Sequence, residues 1–244
     1  MSALRFVCRA IWFIAELLGF FCDYAWRWLR HGGALPQAER SRWLQRSSRR
    51  TLKVFSVVTA SEGTPPAAGL LVCNHLTYLD ILVIVSLAPA VFVSKIEVKS
   101  WPVFGWCASL AGTLFVVRAR RTDVTRMNAE IERTLDDGNM LVLFPEGTSW
   151  NGSEVLPFKS SLLEPIVGSK HPLTVAHISY TLADGDVAND ICYWRDMTFF
   201  PHLLKLMTKK QIKARVNFAP VLNPASDRKE LAVQLHADVS RLRR

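Results

Sequence analysis

Disulfide and metal chemistry have little to work with in this chain. Its five cysteines (Cys8, Cys22, Cys73, Cys107, Cys192) are odd in number and form no Cys-x-x-Cys pair. That excludes a disulfide frame or a zinc site of ordinary spacing, and reads as reduced, small core residues of a cytosol-facing protein. Four of the six histidines, His171, His177, His202 and His236, have no metal-like spacing and read as structural. No Gly-x-Ser-x-Gly elbow occurs. Gly147-Thr148-Ser149-Trp150-Asn151-Gly152 lacks the spacing, so an acyl-serine enzyme is not indicated. Internal repeats and low-complexity tracts are absent. Acidic residues are also few: 21 against 30 basic ones, for a net charge of +9.

What is present is apolar and basic. Half of the 244 residues are hydrophobic and eight are tryptophan; mean hydropathy is +0.14 and the isoelectric point about 9.6. Such a chain prefers nucleic acid or an anionic membrane surface. The positive charge is spread and carries no recognised nucleic-acid motif, so no nucleic-acid partner is expected. A basic membrane-binding module without catalysis is the alternative of a different class.

Residues 4–30 are rich in Trp, Phe, Leu and Ile. Their polar exceptions are Arg5, Arg9, Glu16, Asp23, Arg27 and Arg30. On a helical wheel these six fall within an arc of about 60°. Most of the circumference is then apolar, which predicts a helix lying in a bilayer interface with Trp12, Trp26 and Trp28 near headgroup depth. Glu16 and Asp23 interrupt the run short of a span, and no signal-peptide cleavage site follows. Burial of the helix against the core is the competing reading. Residues 31–51 are basic, with Arg40, Arg42, Arg46, Arg49 and Arg50, and read as a second surface helix after Pro36 or a solvated linker. The expected division is a membrane-associating helical segment, 1–51, followed by an α/β domain, 52–244.

From residue 52 short apolar runs alternate with helical patterns. Strands are expected at 69–73, 90–94, 113–118, 140–145, 173–180 and 212–219, and helices at 77–88, 100–111 and 122–137. Residues 199–210 read as a helix that touches the membrane or packs on the core. Alternation with continuously apolar strands implies a mostly parallel sheet flanked by helices. Sites in such sheets gather beyond the carboxyl ends of strands. Two motifs lie there: Asn74-His75-Leu76-Thr77-Tyr78-Leu79-Asp80 and Phe144-Pro145-Glu146-Gly147-Thr148.

His75 and Asp80 would lie about 140° apart on one regular helix. His75 is therefore expected in the turn before the helix, with Thr77 capping it and Asp80 folding back onto the imidazole. One ring nitrogen would bond the carboxylate and leave the other as a base near neutral pH. Without a nucleophilic serine, that base serves a hydroxyl on the substrate. An acyl hydrolase using water remains an option.

Four ordered blocks over about residues 70–180 resemble the lysophosphatidic acid (1-acylglycerol-3-phosphate) acyltransferase family. Asn74-His75 to Asp80 is similar to its His-x4-Asp motif. Lys95-Ile96-Glu97 through Trp101-Pro102-Val103-Phe104-Gly105 is similar to its Lys-x-Glu stretch, Gly112 through Arg118 to the block ending in a phosphate-binding Arg, and Phe144–Thr148 to the third block. The resemblance implies that His75, oriented by Asp80, deprotonates a glycerol hydroxyl, which attacks the thioester of acyl-CoA or acyl-acyl carrier protein. These are co-substrates; no metal or other cofactor is implied. Arg118 would bind the acceptor phosphate, with Arg120 and Arg121 adding positive field, and Lys95 and Lys159 would assist. Glu146 would meet acceptor hydroxyls or scaffold its loop. Gly147 and Thr148 would offer N–H groups to a developing oxyanion. The product would be phosphatidic acid, made at the cytoplasmic face of a membrane, the inner one in a bacterium.

The chain departs from the pattern at Ser149, where many relatives carry Arg, at Ser161, where many carry Gly, and at 173–178, which lacks the usual proline. These departures bear on the acceptor. Relatives that acylate other lysolipids, including lyso-ornithine lipid, share the first and third blocks.

Overall fold

The protein is described by a computed structural model over residues 2–117 and 121–243. Its strands are β1 (Val57–Glu62), β2 (Gly69–Cys73), β3 (Val91–Lys95), β4 (Leu114–Val116), β5 (Met140–Leu143), β6 (Leu173–Leu182) and β7 (Ile212–Pro220). They form one seven-stranded sheet in the order β1-β7-β6-β2-β5-β3-β4. Every pairing is parallel except β6 with β7. The mostly parallel sheet expected from the sequence is therefore found. Edge strand β1 was not expected. Only Val57 of it is buried, so the segment carries little apolar signal and owes its conformation to pairing with β7.

The helices are α1 (Ser2–Arg30), α2 (Gln37–Val54), α3 (Leu79–Leu87), α4 (Phe104–Leu110), α5 (Arg121–Asp136), α6 (Val187–Asp190), α7 (Phe199–Thr208) and α8 (Arg228–Arg241). They cover both sheet faces. Leu71 and Cys73 of β2 enter one core, with Trp43, Leu79, Ile178 and Leu206. Leu70 and Val72 enter the other, with Met127, Ile131, Leu163 and Leu231. That period of two, apolar on both sides, is what a central parallel strand requires. In α5, Met127, Ile131 and Leu135 are buried as their spacing predicts, and the helix stops before Gly138 at φ 73°.

The helix expected at 100–111 is split. A 3-10 turn, Ile96–Ser100, precedes α4, and Pro102 and Val103 lie between them, Val103 at φ 64°. Pro102 has no N–H to continue a helix. Gly105 then passes so close to the Lys99 carbonyl that a Cβ there would sit 2.1 Å from its oxygen.

The polar arc of α1 faces the protein. Arg5 donates to the Thr208 carbonyl at 2.9 Å, and Arg9 to the Met207 carbonyl at 3.0 Å, at the carboxyl end of α7. Glu16 pairs with Arg50 at 2.7 Å, and Arg27 pairs with Asp23 at 3.0 Å. Leu4, Val7, Ile11, Ile14, Leu18 and Leu29 are exposed on the opposite side. Inward-pointing charge thus anchors the helix while its most apolar face is uncovered. Phe13 and Trp43 are buried in the sheet's core, so α1 and α2 pack onto the α/β body. No described helix is long and apolar enough to cross a membrane. In α7, His202, Leu203, Leu206 and Met207 are buried, whereas Phe200 and Leu204 are exposed.

Candidate active site

Register brings the two motifs together. β2 pairs with β5, Val72 opposite Leu143, and with β6, Cys73 opposite Ala176. The chain therefore leaves β2 as Asn74-His75 beside the point where it leaves β5 as Phe144-Pro145-Glu146. Asn74 locks that exit: Oδ1 accepts from the Ile178 N–H at 2.8 Å and Nδ2 donates to the Ile178 carbonyl at 3.0 Å.

Glu146 is buried beneath the exit. Oε1 accepts from the His75 N–H at 2.7 Å and Oε2 from the Leu156 N–H at 3.1 Å. Both oxygens serve backbone, so its place is that of a loop scaffold. Burial, helped by the Asp80 charge, raises its carboxyl to about 7 against the lowering pull of the two N–H groups. The His75 turn is clamped further: Trp150 N–H donates to the His75 carbonyl at 3.0 Å and Tyr193 N–H to the Leu76 carbonyl at 2.8 Å.

His75 lies in the turn before α3, and Asp80 in that helix's first turn is fully buried. His75 Nδ1 is 2.8 Å from Asp80 Oδ2. A carboxylate only accepts, so Nδ1 carries the proton and Nε2 keeps its lone pair. The same Oδ2 accepts from the N–H groups of Leu76 at 2.7 Å and Thr77 at 3.0 Å. Asp80 thus ties the turn before α3 together, while the cap expected of Thr77 is not formed: its Oγ1 has no partner and the helix start has no side-chain cap. Tyr180 donates to the other oxygen, Oδ1, at 2.7 Å. Burial and the Asp80 charge push the Tyr180 hydroxyl well above its ordinary value, so it stays protonated and keeps donating. In the sequence Tyr180 looks like one more large residue in an apolar strand. A hydroxyl on the inward-facing side was the only signal.

The imidazole stacks on Phe144 with ring centroids 4.2 Å apart. It forms part of the wall of an apolar cavity of about 220 Å³ between α1, α2 and the sheet, which Phe13, Phe20, Leu44 and Phe92 also line. Cys107 faces the same cavity, and burial pushes its thiol up to about 12. Cys73, next to the motif, is likewise raised well above its ordinary value by burial and by Asp80 and Glu146. Neither offers a thiolate near neutral pH. Phe144 also borders a larger cleft of mixed lining with Pro145, Lys159, Ser161, Glu164 and Arg228. Phe144, on which His75 stacks, is thus shared by the cavity and the cleft, while His75 itself lines the cavity.

Other expected residues are placed unevenly. Lys95 is exposed at the end of β3, and Lys159 is exposed at the cleft. Arg118 and Arg120 lie outside the described residues, as does the Arg121 side chain. The Gly147 N–H donates to the Phe144 carbonyl at 3.1 Å and is committed to its turn. The oxyanion role expected of it therefore does not match the geometry. Thr148 is exposed. Ser149 Oγ donates to the Tyr193 carbonyl, so this serine is tied into the clamp. His202 Nδ1 meets the Tyr78 hydroxyl at 2.8 Å and His236 Nε2 the Val155 carbonyl at 2.9 Å, in keeping with structural roles.

The model of the family named Acyltransferase matches residues 56–179. A lyso-ornithine lipid O-acyltransferase of Rhodobacter capsulatus is 38% identical over 181 residues, 70% of this chain and 64% of that protein; the chain thus spans less than two thirds of that relative's length. A 1-acyl-sn-glycerol-3-phosphate acyltransferase of Neisseria meningitidis is 29% identical over 69% of this chain and 66% of that protein. The crystal structure of the 1-acyl-sn-glycerophosphate (LPA) acyltransferase of Thermotoga maritima superposes with a TM-score of 0.71, at 19% identity, over 99% of this chain and 95% of that one. The fold is shared with it.

Proposed function

Because the chain belongs to the Acyltransferase family, we propose that it transfers a fatty acyl group from an acyl thioester to the free hydroxyl of a lysolipid. One observation carries this reading: His75, held by a buried Asp80, lines an apolar cavity and stacks on Phe144, which also borders the cleft of Lys159 and Arg228. The acyl chain takes the cavity and the acceptor headgroup the cleft.

His75 Nε2 takes the proton of the acceptor hydroxyl as its oxygen attacks the thioester carbonyl. The new C–O bond forms and the C–S bond breaks. The proton then passes from the imidazolium to the departing thiolate, giving an ester and a free thiol. Asp80 stabilises the imidazolium and fixes its tautomer, as the carboxylate of a serine-protease triad does. No acyl-enzyme and no metal take part. The thioester is acyl-CoA or acyl-acyl carrier protein.

The acceptor suggested by the four blocks is 1-acylglycerol-3-phosphate, giving phosphatidic acid. Arg118 then binds its phosphate, since a guanidinium meets phosphate oxygens through two parallel hydrogen bonds. Lys95 and Lys159 add positive charge. Lyso-ornithine lipid is the second reading, favoured by 38% identity to a relative so named against 29% to the glycerophosphate acyltransferase. The outward apolar face of α1, with Phe200 and Leu204 on α7, supports peripheral attachment to a membrane; the net charge of +9 favours an anionic surface and the reduced cysteines its cytoplasmic side.

A panel of lysolipid acceptors, each assayed with acyl-CoA and with acyl-acyl carrier protein, tests the reading. Acyl ester formed on one acceptor with thiol released in equal amount is the expected result. Thiol release independent of any lysolipid would instead mark a hydrolase.

A further inference from the structure

A helix stripe that faces an apolar cavity is ordinarily apolar itself. In α2 it is not. Leu44, Ser47, Ser48, Thr51 and Phe55 follow one another at helical spacing, all line the cavity that His75 borders, and the middle three are hydroxyl residues. Glu16 of α1 lines the same space, but its carboxylate is taken by Arg50 at 2.7 Å and by the Trp12 ring N–H at 3.0 Å.

Ser48 is 1% exposed, and its Oγ has no partner. A helical serine usually satisfies its hydroxyl on a carbonyl three or four residues back. Two others in this chain do so: Ser109 donates to the Gly105 carbonyl and Ser86 to the Val83 carbonyl, each at 2.7 Å. Ser48 does not, although the Leu44 carbonyl is available by the same spacing. A buried group left without a partner calls for an explanation, and strain, a water or a ligand each supply one.

We propose that this stripe is a polar subsite for the acyl chain, and that the preferred donor is a hydroxyacyl thioester whose chain hydroxyl pairs with Ser48. The inference rests on the acyltransferase reading and deepens it. The reaction is unchanged: the thioester C–S bond breaks, the ester C–O bond forms, and the chain hydroxyl is carried over intact. A plain chain in this cavity leaves the Ser48 hydroxyl buried and unpaired, whereas a hydroxylated one satisfies it. A site that hydrogen-bonds a substrate hydroxyl discriminates against the analogue lacking it.

The test compares straight-chain acyl-CoA thioesters of one length, plain or carrying a single hydroxyl near the thioester, in mid-chain or at the chain end. The intact chain is assayed with the lysolipid it turns over. One hydroxylated donor is expected to exceed the plain one in kcat/KM by about two- to tenfold, the range of one neutral hydrogen bond. That ratio should fall to about one in Ser48→Ala and stay above one in Ser48→Thr, which keeps a hydroxyl. Each ratio is read within one preparation, so the folded fraction cancels. A wild-type ratio of one or less for every hydroxylated donor overturns the proposal, as does a preference that survives in Ser48→Ala. Absence of transfer from any thioester to any lysolipid is a different failure, that of the acyltransferase reading itself.

Discussion

Tyr180 and Asp80 stand 100 residues apart in the chain, and the Tyr180 hydroxyl donates at 2.7 Å to the one Asp80 oxygen that His75 does not use. Asp80 is fully buried, so all four of its donors are fixed: the imidazole, two backbone N–H groups and this phenol. The aspartate can then hold the imidazole in one orientation through the reaction.

Tyr180→Phe keeps the ring and removes the donor. Leaving a buried carboxylate oxygen unsatisfied should cost about 1–3 kcal/mol of stability, read by urea denaturation. If the same interaction is needed in the transition state, kcat falls by about ten- to a hundredfold while KM stays put. A variant with full kcat shows that the phenol serves only the fold.

Glu146 predicts a dependence of stability on pH. Its carboxyl is raised from 4.5 to about 7. Between those values the folded protein keeps a proton that the unfolded chain has released. Its contribution therefore grows as pH falls from about 7 towards 4.5, and is flat above 7. In Glu146→Gln this contribution is absent. The stability of wild type relative to the variant should rise between pH 8 and pH 5, by at most about 3 kcal/mol. His177 and His202, each lowered to about 4 by burial, act in the opposite sense, but they are common to both proteins and cancel. Thermal melts across pH measure the difference, and a constant difference contradicts the assignment.

Arg118→Ala separates the two acceptor readings. If 1-acylglycerol-3-phosphate is the acceptor, its KM should rise about tenfold or more as a charged phosphate contact is lost. An unchanged KM for that lipid removes Arg118 as its phosphate ligand.

Ile11→Asp with Leu18→Asp tests the membrane face. Both side chains are exposed on the outward side of α1. Their replacement should leave the fold intact and abolish co-sedimentation with vesicles containing anionic lipid. Removing the whole helix is a poorer test, because Phe13, Leu17 and Phe20 wall the cavity. Undiminished sedimentation would place attachment elsewhere, with Phe200 and Leu204 the next residues to change.

The sheet was legible because its central strands are apolar on both sides and end in recognisable turns. The meeting of Asn74–Asp80 with Phe144–Thr148 was legible too, since both motifs follow strands of one parallel sheet. Other features depend on tertiary contacts that no local pattern encodes. Edge strand β1 is mostly exposed. Tyr180 reaches Asp80 from another strand. The N-terminal helix reads as an amphipath from its six polar residues, but the wheel does not say which side faces water. Arg5 and Arg9 on the end of α7 and Glu16 on Arg50 reveal that the polar side is the inner one. Gly147 looked like an oxyanion donor by position, yet its N–H closes a turn onto Phe144.

Release of free thiol from acyl-CoA, followed with and without lysolipid in wild type and in His75→Ala, tests the central claim most directly. Wild type should release thiol only when the acceptor is present. His75→Ala, with an unchanged circular dichroism spectrum, should lose that lysolipid-dependent release by about 10²–10⁴-fold or more, as expected for removal of a general base. A folded His75→Ala protein that still acylates the lysolipid at the wild-type rate would contradict the account.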